Sequence, residues 1–368
     1  MEFGIFHEFP SIAGRLDAAA FDQAFELVDG AERWGLDAIW LAELHFDPAR
    51  AVLSAPLCVA SAIAARTRRM QIGIAVQVLP LCHPLRLAEE AATVDQLSRG
   101  RLILGVGRSG VAATYEAYGV PYGESRERFA EVLDIVEQAW TVENLSYQGK
   151  FHRFENVRIT PRPFQQPMPR IRVAATSPDT FVSIGKQGKP IFVAVRYETA
   201  DEIAPLIAAY RDAWRQAGHP GHGAVFLRVP AYIAASDKRA RAEAETSFMH
   251  FFRQQAKLLA DSARRAGVDG AERRAATADR LLAMSYDDAL AGTVLVGSPE
   301  AVSDKLHGLQ AQLGLDGVLM ELNCGGMISH AQVKSALRLL CLKVMPGFHW
   351  LDPASDGRGR LNRQGTDG

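Results

Sequence analysis

The chain has 368 residues, with 41 Lys+Arg against 42 Asp+Glu and a net charge of −1, so it offers no electrostatic reason to bind nucleic acid or an anionic membrane surface. At 48% hydrophobic and 23% charged residues it has the composition of a folded protein with a large core. Its most apolar stretch, Ala55 to Ala65, contains Pro56 and Ser61 and falls well short of the roughly 18 residues that a spanning helix needs. Met1 to Phe6 lack the basic start and long apolar run of a signal peptide, which reads as a cytoplasmic protein with no membrane span. Cys58, Cys82, Cys324 and Cys341 form no CxxC pair, so reduced, buried thiols are expected rather than a zinc knuckle or a disulfide framework.

Short β-rich runs alternate with longer segments of helical period, the pattern of βα units around a parallel sheet. Glu2 to Phe6 reads as the first strand, and Phe21, Phe25, Val28 and Ala31 then recur at helical spacing up to Gly35, a natural helix stop. Ala38 to Glu43 is the second strand, with Ala55 to Ala65 as its helix, and Gln71 to Leu79 is the third, followed by a helix over Leu85 to Leu97. Arg101 to Val106 is the fourth strand, and Ser125 to Trp140 is amphipathic, with Phe129, Val132, Leu133, Val136 and Trp140 on one face. Tyr147 to Arg162 reads as an irregular or hairpin excursion closed by a proline-rich segment. Ile171 to Ala175, Ile191 to Val195, Phe226 to Ala234 and Gly317 to Glu321 are the remaining strands, with helical patterns near 178–187, 200–217, 236–264 and 299–313. Eight regular cycles favour closure into a (β/α)8 TIM barrel with insertions over an open doubly wound sheet. The expected organisation is a single barrel domain over 1–346, with 265–292 either a mobile lid or an ordinary exposed insertion. The polar, glycine-rich residues 347–368 read as a disordered tail.

In such a barrel, ligands bind at the carboxyl ends of the strands, where loops from different strands converge. The residues there are His7 and Glu8, Glu43 and His45, Cys82 and His83, Arg108 and Ser109, then Ala175, Thr176 and Ser177. They hold no dense carboxylate cluster for a hard cation, so no metal site is expected. Gly105-Val106-Gly107-Arg108-Ser109-Gly110 fits GxGxxG, but a dinucleotide-binding turn needs a helix opening in the loop and a second strand ending in an acid, and neither follows. The loop makes better sense as a phosphate cradle, in which glycines let main-chain N–H groups approach and Arg108 adds a charged donor fork. Arg126 supplies a second guanidinium. For His45 both a ligand to a bound molecule and a histidine hydrogen-bonded at the barrel rim are open. His83 suits capping the next helix or pinning its loop, and Tyr115 and Tyr118 suit either lining a pocket or packing.

Ala38-Ile39-Trp40-Leu41-Ala42-Glu43-Leu44-His45-Phe46, Leu79-Pro80-Leu81-Cys82-His83-Pro84-Leu85-Arg86-Leu87-Ala88-Glu89-Glu90 and Asp95-Gln96-Leu97-Ser98-Arg99-Gly100-Arg101 resemble the bacterial luciferase-like flavin-dependent monooxygenases. The likeness continues through the Gly105–Gly110 loop, Ser125-Arg126 and Gly297-Ser298-Pro299-Glu300, over roughly residues 1–346. What it implies is a barrel that binds reduced FMN delivered by a separate flavin reductase, reacts it with O2, and oxidises a small organic substrate through a flavin hydroperoxide. The family's phosphate-binding arginine falls on Arg108, with Ser109 beside it, and a second basic neighbour falls on Arg126. Ile74-Ala75-Val76 resembles the segment that supports the flavin ring, where the family often has a non-prolyl cis peptide, and Ala175 and Thr176 resemble its backbone contacts to the flavin. A homodimer built through the early helices is also implied.

One position departs from the pattern. Luciferase-type members show Glu-His-His-Phe after the second strand, with the first histidine credited with catalysis, whereas this chain has Glu43-Leu44-His45-Phe46. Strand alternation puts Glu43 and His45 on one side and Leu44 on the other, so His45 does not simply fill the vacancy. Either a neighbour such as His7 supplies the polar group alongside Glu43 and His45, or the chemistry differs from aldehyde oxidation, and light emission is not expected. Two other readings stand beside the monooxygenase: a deazaflavin-dependent hydride-transfer enzyme on the same barrel, and a non-catalytic flavin-binding or dimer-partner protein.

Overall fold

The computed structural model describes residues 1–195, 198–265 and 270–348. Its strands are β1 (Glu2–His7), β2 (Ala38–Leu41), β3 (Gln71–Ile74), β4 (Gln77–Val78), β5 (Leu102–Gly107), β6 (Leu145–Gln148), β7 (Arg153–Val157), β8 (Arg170–Ala175), β9 (Ile191–Ala194), β10 (Val225–Ile233), β11 (Leu295–Gly297) and β12 (Gly317–Glu321). Eight of them, β1, β2, β3, β5, β8, β9, β10 and β12, pair in parallel in that order, and β12 returns to β1 to close the ring. Each coincides with a strand expected from the sequence. The third is interrupted: β3 stops at Ile74, and the chain resumes as β4, paired with β5. Helices cover the outside; the first, Asp17–Trp34, ends where Gly35 takes φ 90° as its left-handed cap.

The excursion after the helix Ser125–Thr141 is an antiparallel hairpin of β6 and β7. It is pinned by Glu131, whose carboxylate accepts from the backbone N–H groups of Lys150, Phe151 and His152. Residues 271–291 are largely helical, as Ala271–Ala283 and Tyr286–Ala291. The first of these buries Ala278 and Leu281 and packs on the long helix Asp237–Ala263. Its inward face is two residues wide, which is why no stripe stands out in the sequence. Residues 266–269 of the expected lid and 349–368 of the expected tail lie outside the described residues. Among the described residues no helix is long and apolar enough to cross a membrane. Cys58 is exposed on the helix Pro56–Arg66, a correction to the expectation of four buried thiols, and burial pushes the Cys82 and Cys341 thiols up to about 12.

The inside of the barrel is filled from its amino-terminal end. Trp40 lies fully buried across the axis, edge-on to Phe192 at 4.8 Å. It has room because β1 and β3 face it with glycines: a Cβ on Gly4 would lie 2.6 Å, and one on Gly73 2.0 Å, from the indole. Beside it the Arg172 guanidinium stacks 3.4 Å from the Phe226 ring and donates both Nη1 and Nη2 to Glu2, at 2.9 and 2.7 Å. A buried charge held by a carboxylate and aromatic faces is tolerated where a lone one is not. Gly73→Ala is therefore expected to lower unfolding stability by at least about 2 kcal/mol, since neither strand nor indole can withdraw; denaturant titration against wild type measures it.

Candidate functional site

The inward positions at the carboxyl end are small, with Ala75, Gly107, Ala174 and Ala194 where the other end carries Trp40 and Phe226, and a cavity of about 860 Å³ opens there. Gly105 and Gly107 of the glycine motif serve this geometry. A Cβ on Gly105 would lie 1.9 Å from the carbonyl oxygen of Ile74, and one on Gly107 2.5 Å from Val76 Cγ2. The two glycines let β5 run against the break between β3 and β4, and the peptide between Ala75 and Val76 in that break is cis. Ala75 and Val76 form one wall of the cavity.

Away from that wall the lining turns cationic and hydroxylic. Arg108 follows β5 directly, and its Nη1 donates to Ser125 Oγ at 3.0 Å, which turns the guanidinium toward the start of the helix that carries Arg126. Tyr115 is fully buried and donates its hydroxyl to the Arg108 carbonyl, so it packs and holds the loop rather than lining the cavity. Ser109 takes φ 59°, and its Oγ accepts from Val111 N at 3.2 Å. Across the cavity stand Ala175, Thr176 and Thr180, and the Thr180 hydroxyl, in the first turn of the helix Pro178–Lys186, meets that of Ser177, the residue before the helix, at 2.7 Å. Arg108, Ser109, Arg126, Ala175, Thr176, Ala75 and Val76, all expected as cofactor contacts, thus border one cavity.

A third guanidinium was not anticipated. Arg274, on the helix Ala271–Ala283, donates from Nη1 to the Gly110 carbonyl at 3.0 Å and from Nη2 to Tyr122 Oη at 2.7 Å, and together with Arg273 it lines the same cavity. Only the Arg273-Arg274 doublet in the sequence hinted at it, and nothing local tied a residue after β10 to a loop after β5.

The three residues expected to carry chemistry are placed differently. Glu43 accepts from Gln77 Nε2 at 2.7 Å and Val78 N at 2.8 Å through one oxygen, and its other oxygen meets His45 Nε2 at 2.8 Å. It thereby ties the end of β2 to the segment just after Ala75–Val76. The His45 ring packs on Phe46 and Tyr118, with Tyr118 Oη 3.3 Å from Nδ1, and borders neither this cavity nor the smaller one beside it. Leu44, in the segment that follows β2, lines that smaller chamber, as Glu43 also does. His7 is tied up locally, its Nδ1 accepting from Phe9 N at 2.9 Å, and burial lowers its pKa to about 4. His83 makes no cap bond; its ring packs on His152 and Phe154 of the hairpin. Among the described residues no group of His, Cys, Asp or Glu is arranged to hold a metal ion.

A family model for luciferase-like monooxygenases matches residues 1–317, and the chain belongs to that family of oxidoreductases. It is 25% identical over 334 residues, 89% of this chain and 90% of the relative, to the oxygenase component of a flavin-dependent trigonelline monooxygenase from Acinetobacter baylyi. Over 43% of this chain and 48% of the relative it is 36% identical to an F420-dependent glucose-6-phosphate dehydrogenase from Kineococcus radiotolerans. Among solved structures, the monooxygenase RslO1 from Streptomyces bottropensis superposes with a TM-score of 0.79 at 26% identity, covering 95% of this chain and all of that one.

His7 sets a pH dependence whose sign follows from its direction of shift. Its folded pKa, about 4, lies below the unfolded value of 6.5, so the neutral ring contributes stability above pH 6.5 that is lost as pH falls toward 4. His7→Gln is expected to flatten the stability profile across that interval, as read by denaturant midpoints at successive pH values.

Proposed function

We propose that this chain is the oxygenase of a two-component, FMN-dependent monooxygenase, receiving reduced FMN from a separate flavin reductase and oxidising a small organic substrate with O2. The observation that carries the reading is a single cavity with Arg108, Arg126, Arg273 and Arg274 and the hydroxyls of a helix start at one end and the Ala75–Val76 backbone at the other. That layout suits an amphiphilic nucleotide with a dianionic tail and a planar ring. Arg108, Arg126 and Arg274 would hold the phosphate, with Thr176 and Thr180 as hydroxyl donors. Ala75, Val76 and Ala175 would support the ring. Reduced FMN, when bound, supplies the electrons that activate O2.

The chain's own part is to bind, orient and keep water out. Glu43, its oxygens spent on Gln77, Val78 and His45, positions the Ala75–Val76 wall rather than moving a proton. His45 braces Glu43, and His7 stays a neutral structural group. Arg273 and Arg274 make the helix Ala271–Ala283 the cover of the phosphate end. The oxygenase-component relative supports a reductase partner. The F420-dependent relative keeps a deazaflavin in view.

Arg108→Gln is expected to weaken FMN about tenfold or more and riboflavin little, because only FMN has the phosphate to pair with. Fluorescence titration with both ligands decides it, and equal losses would overturn the assignment. Trypsin cleavage at Arg273 and Arg274 should slow several-fold when FMN is added; an unchanged rate removes the cover.

A further inference from the structure

Beside the Ala75–Val76 wall lies a second chamber of about 190 Å³, which shares Ala75, Val76, Ser109, Gly110, Ala194, Leu259 and Arg228 with the larger cavity, so that Arg228 stands where the two spaces meet. It is somewhat larger than the ~150 Å³ cavity known to admit a benzene molecule, so it suits one substituted ring. Leu44, Val78, Val111, Phe251 and Leu258 make its walls apolar.

Its back is a quartet of buried charges. Glu8 accepts from Arg50 Nε at 2.9 Å and from Arg50 Nη2. Arg228 donates from Nη2 to Glu321 Oε2 at 2.6 Å and lies 3.5 Å from Glu8 Oε1, while the Phe6 ring, 3.5 Å from the guanidinium carbon, holds its plane. Arg228 Nη1 and Nε meet no acceptor among the described residues. The sequence offers no motif for this arginine, which sits inside β10.

Charge then selects the occupant. Among the described residues Glu8, Glu43 and Glu321 face the chamber against Arg50 and Arg228, so an anion would meet more carboxylates than guanidiniums. An ammonium would find Glu8 already committed to Arg50, Glu43 to Gln77, Val78 and His45, and Glu321 to Arg228. What the chamber has to spare is a donor. We propose that this chamber is the substrate subsite, that it takes a neutral, ring-sized apolar molecule with one carbonyl-type oxygen, and that Arg228 donates to that oxygen and sets specificity. The inference rests on the flavin reading, in which the ring lies against the wall the two spaces share.

The test uses the full chain, with and without FMN, and three probes of one ring size: cyclohexanone, methylcyclohexane and cyclohexanecarboxylate, with affinities read by ligand-detected NMR competition. The ketone is expected to bind about tenfold or more tightly than the hydrocarbon or the carboxylate. Arg228→Leu combined with Glu321→Gln, which avoids stranding a buried carboxylate, should erase the ketone's advantage and leave methylcyclohexane unchanged. Val111→Trp, which borders only the smaller chamber, should abolish binding of all three and leave FMN affinity unaltered. A carboxylate that binds tightest, a ketone no better than the hydrocarbon, or an advantage that survives loss of Arg228 would each overturn the proposal. If FMN fails to bind while the ketone preference and its dependence on Arg228 persist, the flavin reading falls and the chamber's specificity stands. If FMN binds and Val111→Trp leaves the ketone untouched, the chamber assignment falls alone.

Discussion

Eight strands closed into a ring leave an interior that must be filled, and here the filling is uneven along the axis. Trp40, Phe226, Phe192 and the Arg172–Glu2 pair occupy the amino-terminal half, whereas Ala75, Gly107, Ala174 and Ala194 occupy the other. The large side chains depend on glycines opposite them, and the small ones leave volume that the protein does not fill. The barrel's stability and its ligand space are therefore complementary results of one distribution of side-chain size along eight strands.

The break between β3 and β4 turns that volume into a site. It places Ala75 and Val76 as a wall with a space on either side, and β5 can approach it only because Gly105 and Gly107 lack side chains. Glu43 secures the far end of the break by accepting from Val78 N and Gln77. The acid of the Glu43-Leu44-His45-Phe46 motif thus shapes a surface, while Leu44, where related chains carry a histidine, gives the smaller chamber an apolar face. A hydrocarbon side chain beside a spare guanidinium donor makes that chamber selective by fit and one hydrogen bond rather than by proton transfer.

The cations divide by distance from this wall. Arg108, Arg126 and Arg274 gather on the larger cavity, each from a different segment of the chain. Arg228 lies inside the barrel, neutralised by Glu321 and Glu8, and contributes direction rather than net charge. A chain of net charge −1 thereby keeps its functional positive charge local.

Periodicity and turn chemistry are local, so the sequence by itself determined the eight strands, their helices, the stop at Gly35 and the loop position of Arg108. Family likeness added Ala75–Val76 and Arg126. Tertiary structure alone decided what lies across from what: that Gly105 answers Ile74 rather than a phosphate, that Arg274 reaches the loop after β5, and that Arg228 keeps a donor unspent among the described residues. Those facts depend on contacts between residues up to about 220 positions apart, as Glu8 and Arg228 are, and such pairings arise only when the ring closes.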